Sequence, residues 1–262
     1  MPPGNEQISA TRTLLHEVCA LIAEHRDDAV LVGGWVPDVL FPESRPPHIG
    51  SVDVDLAMRL NRPGYERLVT ILKQRGFHQG SNGYQFFRQI PVPGRRPVTA
   101  RLDLLTSRQH HARFFAGASA AQAPEPIRGA EVAFADNQLA PVGNGGQLRV
   151  AGIVAFLVMK SLAMHDRDNR KDAYDIHFCL EQYPDGLQAL SGLFHPWLDD
   201  PLVKEALTKM ASKFRSGEDD GPQVVADIDQ LVGESRAIRK LQVALRVQDF
   251  LRQVQPVTPL VV

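Results

Sequence analysis

The chain has 262 residues, of which 44% are hydrophobic and 23% charged; that is enough apolar content for one large domain or two modest ones, and too balanced for wholesale disorder. Its formal net charge of -1 argues against a generally sticky nucleic-acid binder but allows a local basic cleft, because steering depends on where charges sit. Cys19 and Cys179 lie far apart and fit no zinc spacing, no apolar run reaches membrane-span length, and the N-terminus lacks a signal-peptide pattern, so a cytoplasmic protein with reduced, buried thiols and no membrane partner is expected.

Residues 8–24 place Ile8, Leu14, Leu15, Val18, Leu21 and Ile22 near helical spacing, which predicts an amphipathic helix. Ala29-Val30-Leu31-Val32 reads as a short buried strand stopping at Gly33-Gly34, followed by a short helix over 35–41 that Pro42 ends. The proline-rich stretch 42–50 is a loop, SVDVDLAM (51–58) is a strand, and 63–75 is a helix closed by Gly76. Residues 77–105 form a meander ending in VTARLDLL, 106–126 is irregular, and EVAFA (131–135) and QLRV (147–150) suggest two more strands. From 151 the pattern is helical, with breaks near 183–185, 195–201 and 216–222. The expected fold is therefore α+β: a mixed or antiparallel-sheet core over 1–150, then an all-helical region over 151–262.

In SVDVDLAM, Ser51, Asp53 and Asp55 share one face of the strand while Val52, Val54 and Leu56 share the other. Two carboxylates pointing the same way repel each other, an arrangement that is costly unless something positive sits between them. VTARLDLL repeats the logic, with Arg101 and Asp103 on one face and Val98, Ala100, Leu102 and Leu104 on the other. Three hard oxygen donors on a rigid sheet suit two magnesium ions, with manganese as a substitute, and such a pair clamps the attacking and leaving oxygens of a displacement at phosphorus. Gly33-Gly34, between a strand and a short helix, suits close approach of phosphates to the backbone.

Together, LVGGWVPDVL, SVDVDLAM and RLDLL resemble the signature of the DNA polymerase beta-like nucleotidyltransferase superfamily: strand, Gly-Gly, short helix, h-D-h-D-h, and a later strand bearing a third Asp. The resemblance implies that Gly33 and Gly34, with Ser51 beside the carboxylates, contact the nucleotide triphosphate. It implies that Asp53 and Asp55 bind both metals, and that Asp103 binds the metal that activates the attacking hydroxyl. An interval of eighteen residues separates Gly34 from Asp53 and holds the proline-rich loop, and GGWVPD differs from the GGxVRD of CCA-adding enzymes at Pro37.

The helical region adds Lys160 on an almost wholly apolar helix, AGIVAFLVMKSLAM, and then HDRDNRKDAYDIHFCL, in which Asp168 could cap a helix and Asp172 and Asp175 share a face. This pairing resembles the AbiEii-type toxin nucleotidyltransferases of toxin–antitoxin systems. The resemblance implies that Lys160 and Asp172 or Asp175 bind the nucleotide, with the helical domain completing its cleft. It further implies transfer of a nucleoside monophosphate from an NTP to a hydroxyl of an acceptor such as tRNA, with a separate antitoxin protein as a partner. A small-molecule acceptor of the aminoglycoside kind, or a non-catalytic nucleotide- or partner-binding protein on the same fold, are the alternatives; all three aspartates being present speaks against the latter. His48 and His177 lie near these motifs and could bond phosphate or base, whereas the adjacent His110 and His111 lack a third ligand at metal spacing.

Overall fold

The computed structural model describes residues 4–143, 145–166 and 170–255, so the expected cap Asp168 lies outside the described residues. Those described fall into two compact units, one taking the residues within Pro2–Pro42 and Ile49–Phe156, the other those within Glu43–His48 and Leu157–Val262.

The first unit is built on a sheet of eight strands among the described residues: β1 (Ala29–Val32), β2 (Asp53–Met58), β3 (His78–Gln79), β4 (Gln85–Ile90), β5 (Val98–Ser107), β6 (Glu125–Ile127), β7 (Asn137–Val142) and β8 (Gly146–Ala151). The order is β3-β4-β5-β2-β1-β8-β7, with β6 added to β5 beyond the stretch that β4 covers. The β2–β5 and β1–β8 pairs are parallel, and β1–β2, β4–β5 and β7–β8 are antiparallel. The sheet is mixed and the fold is α+β, as the sequence pattern implied.

Helix α1 (Asn5–Leu21) packs against β5, β8, β2 and β4. Its apolar stripe, with Leu14 and Val18 at 0% exposure, supplies the burial that stabilises an amphipathic helix. The short α2 (Val36–Leu40) follows β1, and α3 (Arg62–Gln74) starts where the Asn61 side chain accepts the Gly64 N–H at 3.0 Å, satisfying one of the helix's free donors.

Two expectations fail in the region after β5. Residues 108–114, read as irregular, form α4 (Arg108–Phe114). EVAFA, read as a strand, is the helix α5 (Ala130–Ala135), preceded by Gly129 in the left-handed region at φ 86°. The V-x-F alternation mimics a strand, but Ala130 and Ala133 are the wholly buried pair, at helical spacing, and α5 packs on β1 and β5. Phe134 lies under the Arg59 guanidinium, whose carbon is 5.0 Å from the ring centroid, close enough for a cation to be drawn to the ring face.

Helix α6 (Ile153–Asp166) begins at a cap the sequence did not reveal. The Asp136 carboxylate accepts the Ala155 N–H at 2.8 Å, and it sits where a side chain on Gly152 would have to go. Burial raises the pKa of Asp136, against the pull of the Ala155 and Val154 N–H groups.

The second unit packs α7 (Lys171–Gln182), α8 (Gly186–Gly192), α9 (Pro201–Lys213), α10 (Asp220–Ile228) and α11 (Gly233–Val254), together with the residues of α6 from Leu157 on. Helix α11 touches α7, α8, α9 and α10, and Phe250 on it meets Phe194 edge-on at 5.2 Å. Among the described residues, no helix is long and apolar enough to cross a membrane.

Candidate metal centre

The parallel register of β2 and β5 sets Asp53 opposite Arg101 and Asp55 opposite Asp103. Side chains alternate along a strand, so these four share a face, while Val54, Leu56, Leu102 and Leu104 between them are 0% exposed. One oxygen from each of Asp53, Asp55 and Asp103 lies within 4.8 Å of the others, and among the described residues this is the one grouping of three or more such side chains able to hold a metal ion. His110 and His111 take no part in it: His110 Nε2 lies 2.9 Å from the Leu60 carbonyl, and His111 stacks on Phe115.

The glycine pair has a steric origin. Val32, the last residue of β1, is registered opposite Asp55, so the next residue passes under the Asp55 side chain. Gly33 does so at φ 73°, and a Cβ there would stand 1.9 Å from Asp55 Oδ2. Backbone strain of this kind costs about 1–3 kcal/mol for a residue with a side chain, and the carboxylate would also be displaced. Gly33→Ala is therefore expected to lower both the melting temperature and Mn2+ affinity, as thermal unfolding and a metal titration would read. Gly34 is buried in the turn that follows. Asp38, the last residue of GGWVPD, pairs with Arg12 at 3.0 Å while Arg12 lies over the Trp35 ring.

Asp53 is held from two sides. Ser51 Oγ donates to its Oδ1 at 2.8 Å, and the Arg101 guanidinium donates to its Oδ2. Arg101 Nε also lies 3.1 Å from Asp103 Oδ1. Burial works against the charge of Arg101, but Asp103, Asp53 and Asp55 outweigh it and raise its pKa. Arg101 is thus the positive group that two carboxylates side by side require. Its place on the Asp103 face was legible from the alternation of VTARLDLL, but its partner Asp53 is 48 residues away and only the strand pairing brings them together.

Three carboxylates on adjacent strands fit magnesium, a hard ion that accepts a few carboxylate oxygens and keeps water and phosphate as its other ligands. Their need for a cation is evident in the arginine drawn among them.

Lys160, Asp172 and Asp175 meet inside the second unit. Lys160 Nζ is 2.8 Å from Asp172 Oδ1 and 2.6 Å from Asp175 Oδ2. Lys171 Nζ and His48 Nε2 reach Asp175 Oδ1 at 2.8 and 2.9 Å. His48 belongs to the segment 43–48 and packs edge-on against Phe178 at 4.8 Å. Both aspartates are 0% exposed and Lys160 only 6%. Burial alone would raise the pKa of Asp175, yet Lys160, Lys171 and His48 hold it well below the usual carboxylate range. Burial likewise opposes the Lys160 charge, and Asp175 and Asp172 overcome it and raise its pKa. His177 is buried on α7, with Nε2 3.5 Å from Glu181. Cys19 and Cys179 are both free and buried.

A search of solved structures finds a crystal structure of an antigenic nucleotidyltransferase-like protein from Paracoccidioides brasiliensis, similar to this chain with a TM-score of 0.52 at 16% identity, over 78% of this chain and 88% of that one. The two chains share a fold. No protein-family model and no curated protein sequence matches the chain. At 16% identity the likeness speaks for the backbone arrangement; the acidic triad is an independent feature of this chain's own side chains.

Proposed function

We propose that the protein is a metal-dependent nucleotidyltransferase that moves a nucleoside monophosphate from an NTP to an acceptor hydroxyl and releases pyrophosphate. The observation that carries this reading is the convergence of Asp53, Asp55 and Asp103 on one face of a nucleotidyltransferase-like sheet. Asp53, Asp55 and Asp103 would hold the magnesium ions, or manganese in their place, which when bound polarise the phosphoryl group and neutralise charge on the departing pyrophosphate. Ser51 orients Asp53, and Gly33 leaves room for the Asp55 carboxylate. Asp103 would also take the proton of the attacking hydroxyl on a carboxylate oxygen. The oxygen–phosphorus bond to the acceptor then forms as the bond from the α-phosphorus to pyrophosphate breaks.

The AbiEii-type pattern of Lys160 and K-D-x-x-D supports a toxin-type enzyme with tRNA as acceptor and a separate antitoxin as partner. In that reading Gly33, Gly34 and Ser51 meet the nucleotide. Lys160, Asp172 and Asp175 join in one buried cluster, which supports their acting as a unit.

The test is transfer of label from each of the four α-³²P NTPs to total cellular RNA with magnesium, using Asp53→Ala as control. Label in a tRNA-sized band with the intact protein alone is the expected result, and it would name the preferred base. Absence of label together with absence of any magnesium-dependent nucleotide binding would contradict the proposal.

A further inference from the structure

We infer that Arg101 is a built-in counter-ion of the metal centre, a positioning residue that holds Asp53 and Asp103 until a divalent cation takes them and is then free to meet substrate phosphate. The inference rests on the metal-dependent reading above. It starts from the β2–β5 register, which puts Arg101 on the face of the three aspartates and directly beside Asp53. Its guanidinium bridges carboxylates from both strands, donating to Asp53 Oδ2 and lying 3.1 Å from Asp103 Oδ1 through Nε.

A single guanidinium cannot neutralise three carboxylates, so the site keeps net negative charge and still draws a divalent ion. Such an ion needs the carboxylate oxygens that Arg101 now engages, because magnesium and manganese take carboxylates directly at short distance. Metal and arginine therefore compete for Asp53 and Asp103. The competition is one-sided for Asp53: Ser51 fixes its Oδ1 at 2.8 Å, so the carboxylate keeps its orientation when the arginine leaves Oδ2. The Arg101 side chain is 35% exposed, which gives the guanidinium somewhere to go. Like-charge repulsion from the bound ion drives it off, and its planar fork matches phosphate oxygens once free. A protein built this way keeps its carboxylates in register without metal, and it presents an arginine to the phosphates only after the metal has bound.

The experiment is a titration of the full-length chain with Mn2+ alone, without nucleotide, followed by electron paramagnetic resonance of free Mn2+. It uses the wild type, Arg101→Gln, Arg101→Lys and Asp53→Asn. If Arg101 occupies the carboxylates for about nine-tenths of the time, removing it tightens Mn2+ binding about tenfold, while the melting temperature in EDTA falls. Arg101→Lys keeps the charge without the fork and should tighten binding by a smaller factor; it also serves if the glutamine variant does not fold. Nucleotide affinity in saturating Mn2+ should move the other way and weaken in Arg101→Gln. Mn2+ affinity that is unchanged or weaker in both folded arginine variants, with Asp53→Asn still abolishing binding, would overturn the counter-ion role and leave the metal centre standing. No Mn2+ binding to the wild type, or binding indifferent to Asp53→Asn, would overturn the metal centre and the counter-ion role with it.

Discussion

Asp103→Asn is expected to lower NTP-dependent transfer on the order of a thousand-fold or more, since under the proposed function it would remove a metal ligand and the acceptor of the hydroxyl proton in one step. Asn has the same shape, and Asp103 sits on β5 between Leu102 and Leu104, which are 0% exposed, so the strand has no packing reason to change. The ion pair it loses is with Arg101, which keeps Asp53 as a partner. Asp103 is buried and Arg101 about one-third exposed, but the attraction lost is offset by relief of the repulsion between Asp103 and the neighbouring carboxylates, so the melting temperature should stay within a few degrees of wild type. Steady-state kinetics beside a thermal melt would separate the two effects. An Asp103→Asn protein that is folded and retains most of its turnover would mean that the third carboxylate has no part in the chemistry.

Lys160→Met should do the opposite and act first on stability. The ammonium lies between Asp172 and Asp175, both wholly buried, and removing it takes away the cation the two share, while Lys171 and His48 still reach Asp175. Breaking a buried pair in this way costs about 3–5 kcal/mol, which for a protein of this size is a fall of roughly 6–20 °C in melting temperature. The pH dependence follows from the directions of the shifts. Asp175 is depressed in the folded wild type, so its contribution is complete above the unfolded carboxylate pKa, near about 4, and is lost as pH falls through the folded value. Lys160 is raised, so its contribution is complete below about 10.4 and is lost as pH rises through its folded value. Without Lys160 the Asp175 carboxylate loses the largest of the charges that depress it, so the deficit should be largest at neutral pH and shrink as pH falls toward about 4. Melting curves across pH 4–8 would reveal this, and a variant that melts with the wild type throughout would mean the ammonium is solvated.

The sequence carries the sheet's chemistry because strand alternation is local. The h-D-h-D-h run and R-L-D-L-L each fix which side chains share a face, and the parallel register then needs only to bring the two strands side by side. What it does not carry is long-range. The Asp53–Arg101 and His48–Asp175 pairs join residues 48 and 127 positions apart, and no local pattern marks them. The Asp136 cap of α6 lies 19 positions from the N–H it satisfies. Two local signals also misled. Ala130 and Ala133 have too little side chain to mark a helical face against the louder V-x-F alternation. Strand β7 went unread because Pro141 lies within it; β7 is at the end of the sheet order, where a residue without an N–H can be tolerated.

The proposed function requires Asp53, Asp55 and Asp103 to hold the catalytic metal. Its most direct test is an anomalous-difference map from crystals grown with Mn2+ and a non-hydrolysable NTP analogue. Manganese peaks are expected within coordination distance of these three carboxylates, with the triphosphate bound to the same ions. Manganese bound elsewhere, or nucleotide bound with no metal at the triad, would contradict it.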